Sequence, residues 1–523
     1  MSQVDEQAAG GKISRGAWIA LAAALLGWMF DGLEMGLFPL VARPAITDLL
    51  GPDGKKDVGL WMGIMYAVFL VGAATGGVVF GWLGDRIGRV RAMTLSVLTY
   101  ALFMGLCGIS SSVHQMFAFR FVSALGMGGE WSLGVALVME IWPNRTRGLM
   151  AGLIGAASNV GFLAIAAVGL GLGKIIGSMQ SWLLAANLPE AWVKYLVVDS
   201  SGGPTGWRLL MLFGTAPALL TFFIRLAVPE SQRWLHAEAN KDTSHWAGRD
   251  MLAIVIGAIG PLVMIYLWSQ PFSLLARLLG TAIALAVALV GYTYPVLRYL
   301  QRSQAQHGAR RGGAWAPTIG RMLLGACLSG IPLIGTWASI QNAPSWADQL
   351  VEKSPSDASV ESIAAARSSA RSWTQIASAA GAIVGTIIGA LLGDLLGRRF
   401  TYCLLCVGAL LSSLAFFQLN TSYSSMFLVG VFVAGGLTAS FYGWLPLYLP
   451  ELFKTSVRAT CQGFSFNFGR ILAAIGALQT GYLMSDIFHD DYSRACSLMS
   501  LVYVVGLGVI WFAPETRGKP LPE

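Results

Sequence analysis

The sequence predicts an all-α polytopic membrane protein: two pseudo-symmetric six-helix bundles plus an inserted central two-helix hairpin, with about 14 transmembrane helices. Of its 523 residues, 55% are hydrophobic and 12% are charged, whereas soluble domains carry about 25% charged residues. Apolar runs of about 20 residues, the length of a spanning helix, follow one another without the period-2 alternation of barrel strands. A short charged motif also occurs twice, which indicates that one half of the chain duplicates the other.

The apolar runs give the order of the predicted elements. After a cytoplasmic tail of residues 1–16, the first bundle occupies residues 17–228, with helices at 17–40, 60–83, 92–109, 116–141, 149–176 and 207–228. The second bundle occupies residues 321–513, with helices at 322–343, 373–392, 400–419, 426–449, 459–484 and 496–512. Residues 514–523 form a second cytoplasmic tail.

Two further apolar runs lie between the bundles, at residues 251–268 and 274–296, and only residues 269–273 separate them. They predict a transmembrane hairpin at 251–296, joined to the bundles by cytoplasmic linkers at 229–250 and 297–320. A hairpin crosses the membrane and returns, so it leaves the orientation of the second bundle unchanged. A helix pair lying on the membrane surface is the alternative, but neither run has a continuous cationic face.

Charged residues predict the orientation and the partners. Most of the 35 Lys and Arg residues fall in tails and joints on the side of the N-terminus, which places both termini in the cytoplasm by the positive-inside rule. We expect a multi-pass protein of the cell (inner) membrane, in contact with the lipid bilayer and functional as a monomer. The formal net charge of +8 follows from this bias, and no basic stripe with interleaved aromatic residues indicates nucleic acid.

The residues that metal or enzyme chemistry would need are scattered. The six cysteines lie in or beside apolar runs, which argues against a disulfide framework. Cys403 and Cys406 form a C-x-x-C pair without other soft ligands nearby in sequence, so no metal site is expected. No Ser/His/Asp set or phosphate-binding loop is present, so we expect neither an enzyme nor a cofactor. The polar N-terminus and the long first apolar run predict no cleaved signal peptide.

The duplicated motif reads Gly-Asp-x-x-Gly-Arg and lies where one predicted helix ends and the next begins. Glycine permits a close turn, while aspartate can cap a helix N-terminus and pair with arginine. One copy could be a charged loop that obeys the positive-inside rule, but two copies in register predict a breakable latch on the cytoplasmic face. A Glu and an Arg further along each half repeat at nearly the same spacing. The predicted gating residues are Gly84, Asp85, Gly88, Arg89, Glu140 and Arg147 in the first half, and Gly393, Asp394, Gly397, Arg398, Glu451 and Arg458 in the second.

Three carboxylates lie within predicted helices. Asp31 and Glu34 face one side of the first helix, and Glu130 lies on the fourth. Burial and mutual repulsion favour proton uptake by such groups, which is the chemistry that a proton-coupled carrier needs. We therefore predict that all three couple protons to the function. A static ion pair between helices is the alternative.

Two arginines lie within predicted helices of the bundles, Arg120 on the fourth and Arg470 on the eleventh. Charges at this depth are usually paired or face an aqueous cavity. Arg120 is expected to pair with a first-helix carboxylate or with an anionic substrate. Arg470 has no acid near it on its own helix, so a substrate anion is its expected partner. Other side chains that could line the same cavity are Asn159, Trp337, Gln341, Asn342, Tyr442, Trp444 and Asn467. For any one aromatic residue, packing alone is the alternative.

These segments resemble a known family. The two charged motifs are similar to the signature between helices two and three, and eight and nine, of the major facilitator superfamily, and the resemblance covers nearly the whole chain. It implies a transporter that alternates access by rocking two six-helix halves. Residues 229–234 and 514–518 are similar to segments shared by sugar porters and organic-ion relatives. The set Asp31, Glu34, Arg120 and Glu130 looks like that of the sialate and lactate proton symporters and, in part, the metabolite proton symporters.

The resemblance and the buried charges favour a secondary transporter that carries a small organic anion, such as a sialate, a sugar acid or another carboxylate, together with protons. Two alternatives stay open: a proton-coupled porter of a neutral sugar or polyol, and a non-transporting sensor on a transporter fold. The sequence departs from the resembled branch at Glu34, where aspartate is commoner, and in the outer joint 178–206. At the spacing of the repeat, Arg120 falls on Val431 and Glu130 on Phe441, so the latches are duplicated while the ionisable residues are not.

Overall fold

The computed structural model describes residues 15–522 apart from residues 200, 201, 204, 217–226, 308–314, 354–359, 483–486 and 490. In this part of the chain the regular elements are helices. Among the described residues, 12 helical segments are long and apolar enough to span a membrane. The all-α membrane class is therefore confirmed, whereas the layout of about 14 spans is not.

The helices follow the chain in this order. The N-terminal half contains α1 (Arg15–Leu50), α2 (Val58–Ile87), α3 (Arg89–Gly108), α4 (Val113–Ile141), α5 (Arg147–Ala185), α6 (Glu190–Val197) and α7 (Trp207–Phe213). The linker contains α8 (Gln232–Ala239), and the hairpin consists of α9 (Met251–Ser269) and α10 (Leu274–His307). The C-terminal half contains α11 (Trp315–Trp337), α12 (Ala343–Glu352), α13 (Val360–Leu396), α14 (Arg398–Leu419), α15 (Ser425–Ala439), α16 (Phe441–Tyr448), α17 (Arg458–Tyr482), α18 (Tyr492–Ser500) and α19 (Val502–Val509).

Two predicted helices account for the difference in span number. Only α7 represents the predicted helix 207–228, because most of its remaining residues lie outside the described part of the chain. The predicted helix 459–484 is present as α17, but it is not among the 12 apolar segments found in the described residues. Its polar side chains, which include Gln462, Asn467 and Arg470, lower its hydropathy.

Several helix ends differ from the predicted ones. α1 continues through Pro39 and Pro44 to Leu50, well beyond the predicted end at residue 40. Proline removes one backbone donor, but packed apolar surroundings still favour the remaining helical hydrogen bonds. The predicted helix 426–449 is divided at Ser440 into α15 and α16. The predicted helix 322–343 ends at Trp337 and is followed by a short 3₁₀ turn.

The two halves meet along two helix crossings, α2 with α17 and α5 with α13. A Cβ on Gly463 of α17 would collide with the backbone of Gly77 on α2. A Cβ on Gly152 of α5 would lie 2.8 Å from the Cα atom of Ile387 on α13. Small residues let the backbones of the two halves approach closely at these crossings. The crossings hold the halves side by side around the space where the candidate site lies.

The hairpin packs beside the α2–α17 crossing. Tyr292 of α10 hydrogen-bonds with Thr75 of α2 over 2.7 Å. In the linker before α9, the Trp246 ring stacks on Tyr299 with ring centroids 4.4 Å apart. The indole N–H of Trp246 donates to the carbonyl of Ser456, just before α17, at 3.2 Å. The hairpin and its linker therefore contact both halves.

Candidate functional site

The first latch lies at the turn between α2 and α3. Gly88 has a φ of 106°, in the region that glycine enters without steric cost. Arg89 begins α3, and its guanidinium donates to the carbonyl of Gly84 at 2.7 Å, to Asp85 at 2.7 Å and to Glu140 of α4 at 3.2 Å. The structure thus brings three predicted gating side chains into one buried cluster.

The second copy of the motif forms the same cluster between α13 and α14. Gly397 has a φ of 93°. The guanidinium of Arg398 donates to the carbonyl of Gly393 at 2.5 Å, to Asp394 at 3.4 Å and to the two oxygens of Glu451 at 3.0 and 2.7 Å. The pseudo-symmetry predicted from the repeat therefore extends to the hydrogen bonds.

A glutamate caps the helix that follows each latch. Glu230 accepts a hydrogen bond from the backbone N–H of Arg89 at 2.9 Å, and Glu515 accepts one from Arg398 at 3.1 Å. A carboxylate at a helix N-terminus satisfies orphan N–H groups and complements the helix dipole. Sequence reasoning missed this role, although the repeated Pro-Glu-Ser and Pro-Glu-Thr segments were a signal for it.

The hydroxyl residue after each capping glutamate joins the same cluster. The Ser231 hydroxyl donates to Glu140, and the Thr516 hydroxyl donates to Glu451 at 2.6 Å. In each half, the segment that follows the last helix is therefore hydrogen-bonded to the latch of that half.

The cap at α14 predicts a pH-dependent contribution to stability. Burial alone would raise the pKa of Glu515, but hydrogen bonds from backbone N–H groups, including that of Arg398, hold this pKa below its ordinary value. We expect Glu515→Gln to lower the free energy of unfolding by about 1 kcal/mol near neutral pH. Because the folded pKa is lowered, the stabilisation is complete above the unfolded pKa of about 4.3 and is lost as the pH falls through the folded value.

Thermal unfolding of the purified protein at neutral and acidic pH measures this effect. The variant should unfold at a lower temperature than the wild type at neutral pH, and the difference should shrink in acid. Glu238→Gln is the control, because Glu238 is exposed on α8. Equal unfolding temperatures for Glu515→Gln and the wild type at neutral pH would contradict the capping role.

The first latch also joins the two halves. Asp85 accepts hydrogen bonds from the backbone N–H of Ala459 at 3.2 Å and from the N–H and hydroxyl of Thr460 at 2.8 and 2.6 Å. It therefore caps α17 of the other half. Arg458 donates to Glu140 at 2.8 Å. We call this end of the molecule the latch end, and these bonds join the two halves there.

The second latch makes a looser junction. The Asp394 side chain is 36% exposed, whereas that of Asp85 is 0% exposed. A Cβ on Gly148 at the start of α5 would lie 3.1 Å from the Cβ of Asp394, so the two helices still touch there. Arg147 begins α5 and interacts electrostatically with Glu451. The two latches thus make matching contacts inside their own halves, but they make different contacts with the opposite half.

A cavity of about 120 Å³ lies between the halves, further from the latch end. One water molecule takes about 10–15 Å³ on this scale, so the cavity has room for several water molecules or for a small organic molecule. Its charged and polar wall includes Asp31, Asn159, Gln341, Gln375, Tyr442 and Arg470. Its aromatic wall includes Trp28, Trp131, Phe162, Trp337 and Phe466.

Arg470 is the cation of this cavity. The residue is 8% exposed, and its Nε and Nη1 atoms have no hydrogen-bond partner among the described residues. Its guanidinium lies 5.5 Å from the centre of the Phe466 ring. Asp31 interacts with it electrostatically and lies on the same cavity wall. The Oδ1 atom of Asp31 also lacks a partner in the described part of the chain.

Asp31 and Glu130 form a carboxyl pair. Their side chains lie within hydrogen-bonding reach of each other, across the α1–α4 contact. Gly27 makes room for this pair, because a Cβ there would collide with the Glu130 carboxyl group. Ionised carboxylates only accept hydrogen bonds, so a bond between the two requires a proton.

Glu34 and Arg120 form a separate ion pair inside the N-terminal half. The two side chains are in direct contact and are 4% and 3% exposed. The guanidinium of Arg120 also lies 4.0 Å from the ring centre of Phe38 and 4.6 Å from that of Phe69. Of its two predicted partners, Arg120 therefore has the first-helix carboxylate, and it does not line the cavity.

The other predicted binding residues divide into two groups. Asn159, Trp337, Gln341 and Tyr442 line the cavity with Arg470. Asn342, Trp444 and Asn467 lie outside it. Asn342 hydrogen-bonds with the thiol of Cys496, Trp444 packs against Tyr402 with ring centroids 4.9 Å apart, and Asn467 donates to the carbonyl of Gly128 at 3.3 Å. Each is used for packing between helices.

The cavity residues that sequence reasoning missed include Trp28, Trp131, Gln375 and Phe466. The three aromatic residues are ordinary members of apolar helices, so nothing in the sequence distinguishes them from packing residues. Gln375 was detectable, because it is an amide near the start of an apolar run.

A family model described as "Sugar (and other) transporter" matches residues 51–247 and 308–523. The chain belongs to the sugar (and other) transporter family. The two matched stretches of this family member are separated by residues 248–307, which contain α9 and α10.

Curated relatives of this family member carry transporter names. A "Putative metabolite transport protein" of Haemophilus influenzae is 25% identical over 98% of this chain and 99% of its own length. A "Probable 4-methylmuconolactone transporter" of Cupriavidus pinatubonensis is 28% identical over 95% of this chain and 90% of its own length.

A solved structure has the same fold. The proton:xylose symporter XylE from E. coli, a major facilitator superfamily protein, superposes with a TM-score of 0.65 at 17% identity and covers 98% of both chains. The protein is therefore a transporter of the major facilitator superfamily and not an enzyme. The superfamily inferred from the repeated motifs is confirmed.

Proposed function

We propose that this transporter carries a small organic anion, such as a sialate, a sugar acid or another carboxylate, together with protons. The observation that carries the proposal is Arg470, a buried cation on the cavity wall whose Nε and Nη1 atoms lack partners among the described residues. Burying N–H donors of a charged group without acceptors is costly. A carboxylate in the cavity would supply the acceptors that the Nε and Nη1 atoms of Arg470 lack.

Asp31 and Glu130 are the proposed proton site. With a proton between the two carboxyl groups, the negative charge opposite Arg470 falls, and the guanidinium is free to bind the substrate carboxylate. When the proton leaves, Asp31 regains its charge and competes with the substrate for Arg470. Release of the proton therefore favours release of the anion. Glu34 is paired with Arg120 and does not line the cavity, so we assign the exchange to Asp31 and Glu130.

The latches are the proposed gates of an alternating-access cycle in a monomer. We place the latch end on the cytoplasmic side of the inner membrane, with both termini there, since the basic joints lie at that end. The bonds from α17 and Arg458 to Asp85 and Glu140 hold this end shut. Opening the transporter toward the cytoplasm requires these bonds to break while the halves rock about the glycine crossings.

A neutral sugar or polyol is the second candidate substrate. Asn159, Gln341 and Gln375 line the cavity, and amide groups both donate to and accept from hydroxyl groups. The named substrates of the relatives, xylose and 4-methylmuconolactone, belong to different chemical classes. The choice between an acid and a neutral sugar therefore depends on Arg470.

Matched ligand pairs test the proposal. We expect glucuronate to raise the thermal unfolding temperature of the purified protein more than glucose, and benzoate more than benzamide, because only the acids can pair with Arg470. The same compounds should then compete in that order for uptake of a radiolabelled acid into proteoliposomes. Equal or better binding of the neutral member in both pairs would sink the organic-anion proposal and favour the neutral-sugar porter.

A further inference from the structure

Aromatic rings form the floor of the cavity at the latch end. On α4, the cavity residue nearest the latch is Trp131, and the latch residue Glu140 lies near the end of the same helix. On α17, the cavity residue nearest the latch is Phe466, and the latch residue Arg458 begins the helix. On α1, which starts at the latch end, the first cavity residue is Trp28. A route from the cavity to the first latch along these three helices therefore passes these rings.

The rings are close enough to form a continuous row. Trp28 lies 6.1 Å from Trp131 between ring centroids, and Phe466 lies 6.5 Å from Tyr442. Between these pairs, Trp131 and Phe466 stack with centroids 3.7 Å apart and an interplanar angle of 7°. Two rings belong to each half, so the Trp131–Phe466 stack is the point at which the row crosses the interface.

The stack lies in a buried part of that interface. Trp131 is 2% exposed and Phe466 is 3% exposed. On one side of the stack, Asn467 of α17 donates to the carbonyl of Gly128 on α4 at 3.3 Å. On the other side, Gln462 donates to the carbonyl of Ser132. The halves cannot separate at the latch end without parting these two rings.

The stack is also adjacent to the ionisable residues of the cavity. Glu130, which pairs with Asp31, immediately precedes Trp131 on α4. Arg470 lies one helical turn after Phe466, with its guanidinium 5.5 Å from the ring centre. Each ring is therefore carried by the same helix as one charged group of the site.

We propose that Trp131 and Phe466 form an inner gate that seals the substrate cavity from the latch end. The proposal rests on the proposed function for the cytoplasmic side of the latch end and for the proton and substrate sites beside the two rings. When the proton and the substrate occupy Glu130 and Arg470, small shifts of α4 and α17 reach the stack directly. The gate opens when the two rings part, before or together with the latch.

Thiol accessibility tests the gate without a known substrate. Ser158→Cys places a thiol on the cavity wall, in a background in which the accessible Cys327 and Cys403 are replaced by serine. Inside-out and right-side-out membrane vesicles are treated with a membrane-impermeant maleimide. In inside-out vesicles, Phe466→Ala should speed labelling about threefold to tenfold, the population shift expected from losing one aromatic pair.

Two comparisons separate a gate from ordinary packing. Phe464→Ala removes an equally buried phenyl ring from the same helix, but Phe464 does not line the cavity, so its labelling rate should stay at the wild-type level. Trp131→Ala should match Phe466→Ala, and the double variant should label no faster than either, because both remove one stack. Phe466→Tyr keeps the ring and should behave like the wild type.

Equal labelling rates for Phe466→Ala and Phe464→Ala in both vesicle types would overturn the gate. Faster labelling only in right-side-out vesicles would overturn the cytoplasmic direction of the gate. Because no transported compound is used, neither result depends on the organic-anion proposal. Conversely, a neutral substrate in the ligand test would leave the labelling result unchanged.

Discussion

Arg470→Ala is expected to weaken carboxylate binding by about 100-fold or more. The substitution removes a buried cation whose Nε and Nη1 atoms have no other partner in the described residues. Hydrogen bonds to a charged group contribute about 1.5–3 kcal/mol each, so losing two of them accounts for a change of this size. Affinity for a neutral compound of the same shape should change little, because such a compound forms no ion pair with Arg470.

Binding of a labelled acid and of its neutral analogue to the purified variants measures this effect. Arg470→Lys should keep part of the affinity, since lysine supplies the charge but fewer donors in a different geometry. Arg277→Ala is the matched control, because Arg277 lies on α10 of the hairpin and donates to the Gln270 carbonyl at 2.7 Å. Unchanged acid binding by Arg470→Ala would remove the anion site from the cavity.

Asp31→Asn is expected to abolish proton-driven accumulation while exchange of substrate across the membrane continues. A pH difference of one unit can drive about tenfold accumulation for each proton carried, because one pH unit corresponds to 1.36 kcal/mol. The variant lacks the Asp31 carboxyl group that shares the proton with Glu130. It should therefore bring the substrate only to equal concentrations inside and outside. Asparagine has nearly the size of aspartate, so the cavity keeps its shape.

Proteoliposomes with an acidic exterior measure the accumulation, and counterflow with unlabelled substrate measures the exchange. Asp48→Asn is the matched control on the same helix, because Asp48 pairs with Arg208 outside the cavity. It should accumulate substrate like the wild type. Full accumulation by Asp31→Asn would show that the proton is carried elsewhere.

The latches could be predicted from the sequence because their physical causes are local. Arg89 lies one helical turn after Asp85, and a glycine that reverses the chain lies between them, so the motif alone determines this contact. Its repetition then predicts the second cluster at Arg398. The bond from Asp85 to Thr460 was not predictable, because it joins residues that are distant in the chain.

The cavity was only partly predictable because depth in the membrane does not determine which way a side chain points. Arg120 and Arg470 look alike in the sequence, as single arginines in apolar helices. In the structure Arg120 faces Glu34 and two phenyl rings, whereas Arg470 faces the space between the halves. Trp131 and Phe466 carry no polar signal at all. Their proposed role depends on the packing of α4 against α17, and the sequence of either helix alone does not show which helix packs against it.

The central claim, coupled movement of a proton and a carboxylate, is tested most directly by recording pH as substrate is added. Proteoliposomes without a pH gradient are suspended in weak buffer, and glucuronate, whose neutral form does not cross the bilayer, is added outside. The account predicts alkalinisation of the exterior with glucuronate, none with glucose, and none with Asp31→Asn. Uptake of the acid without any change in exterior pH, or alkalinisation that persists in Asp31→Asn, would contradict it.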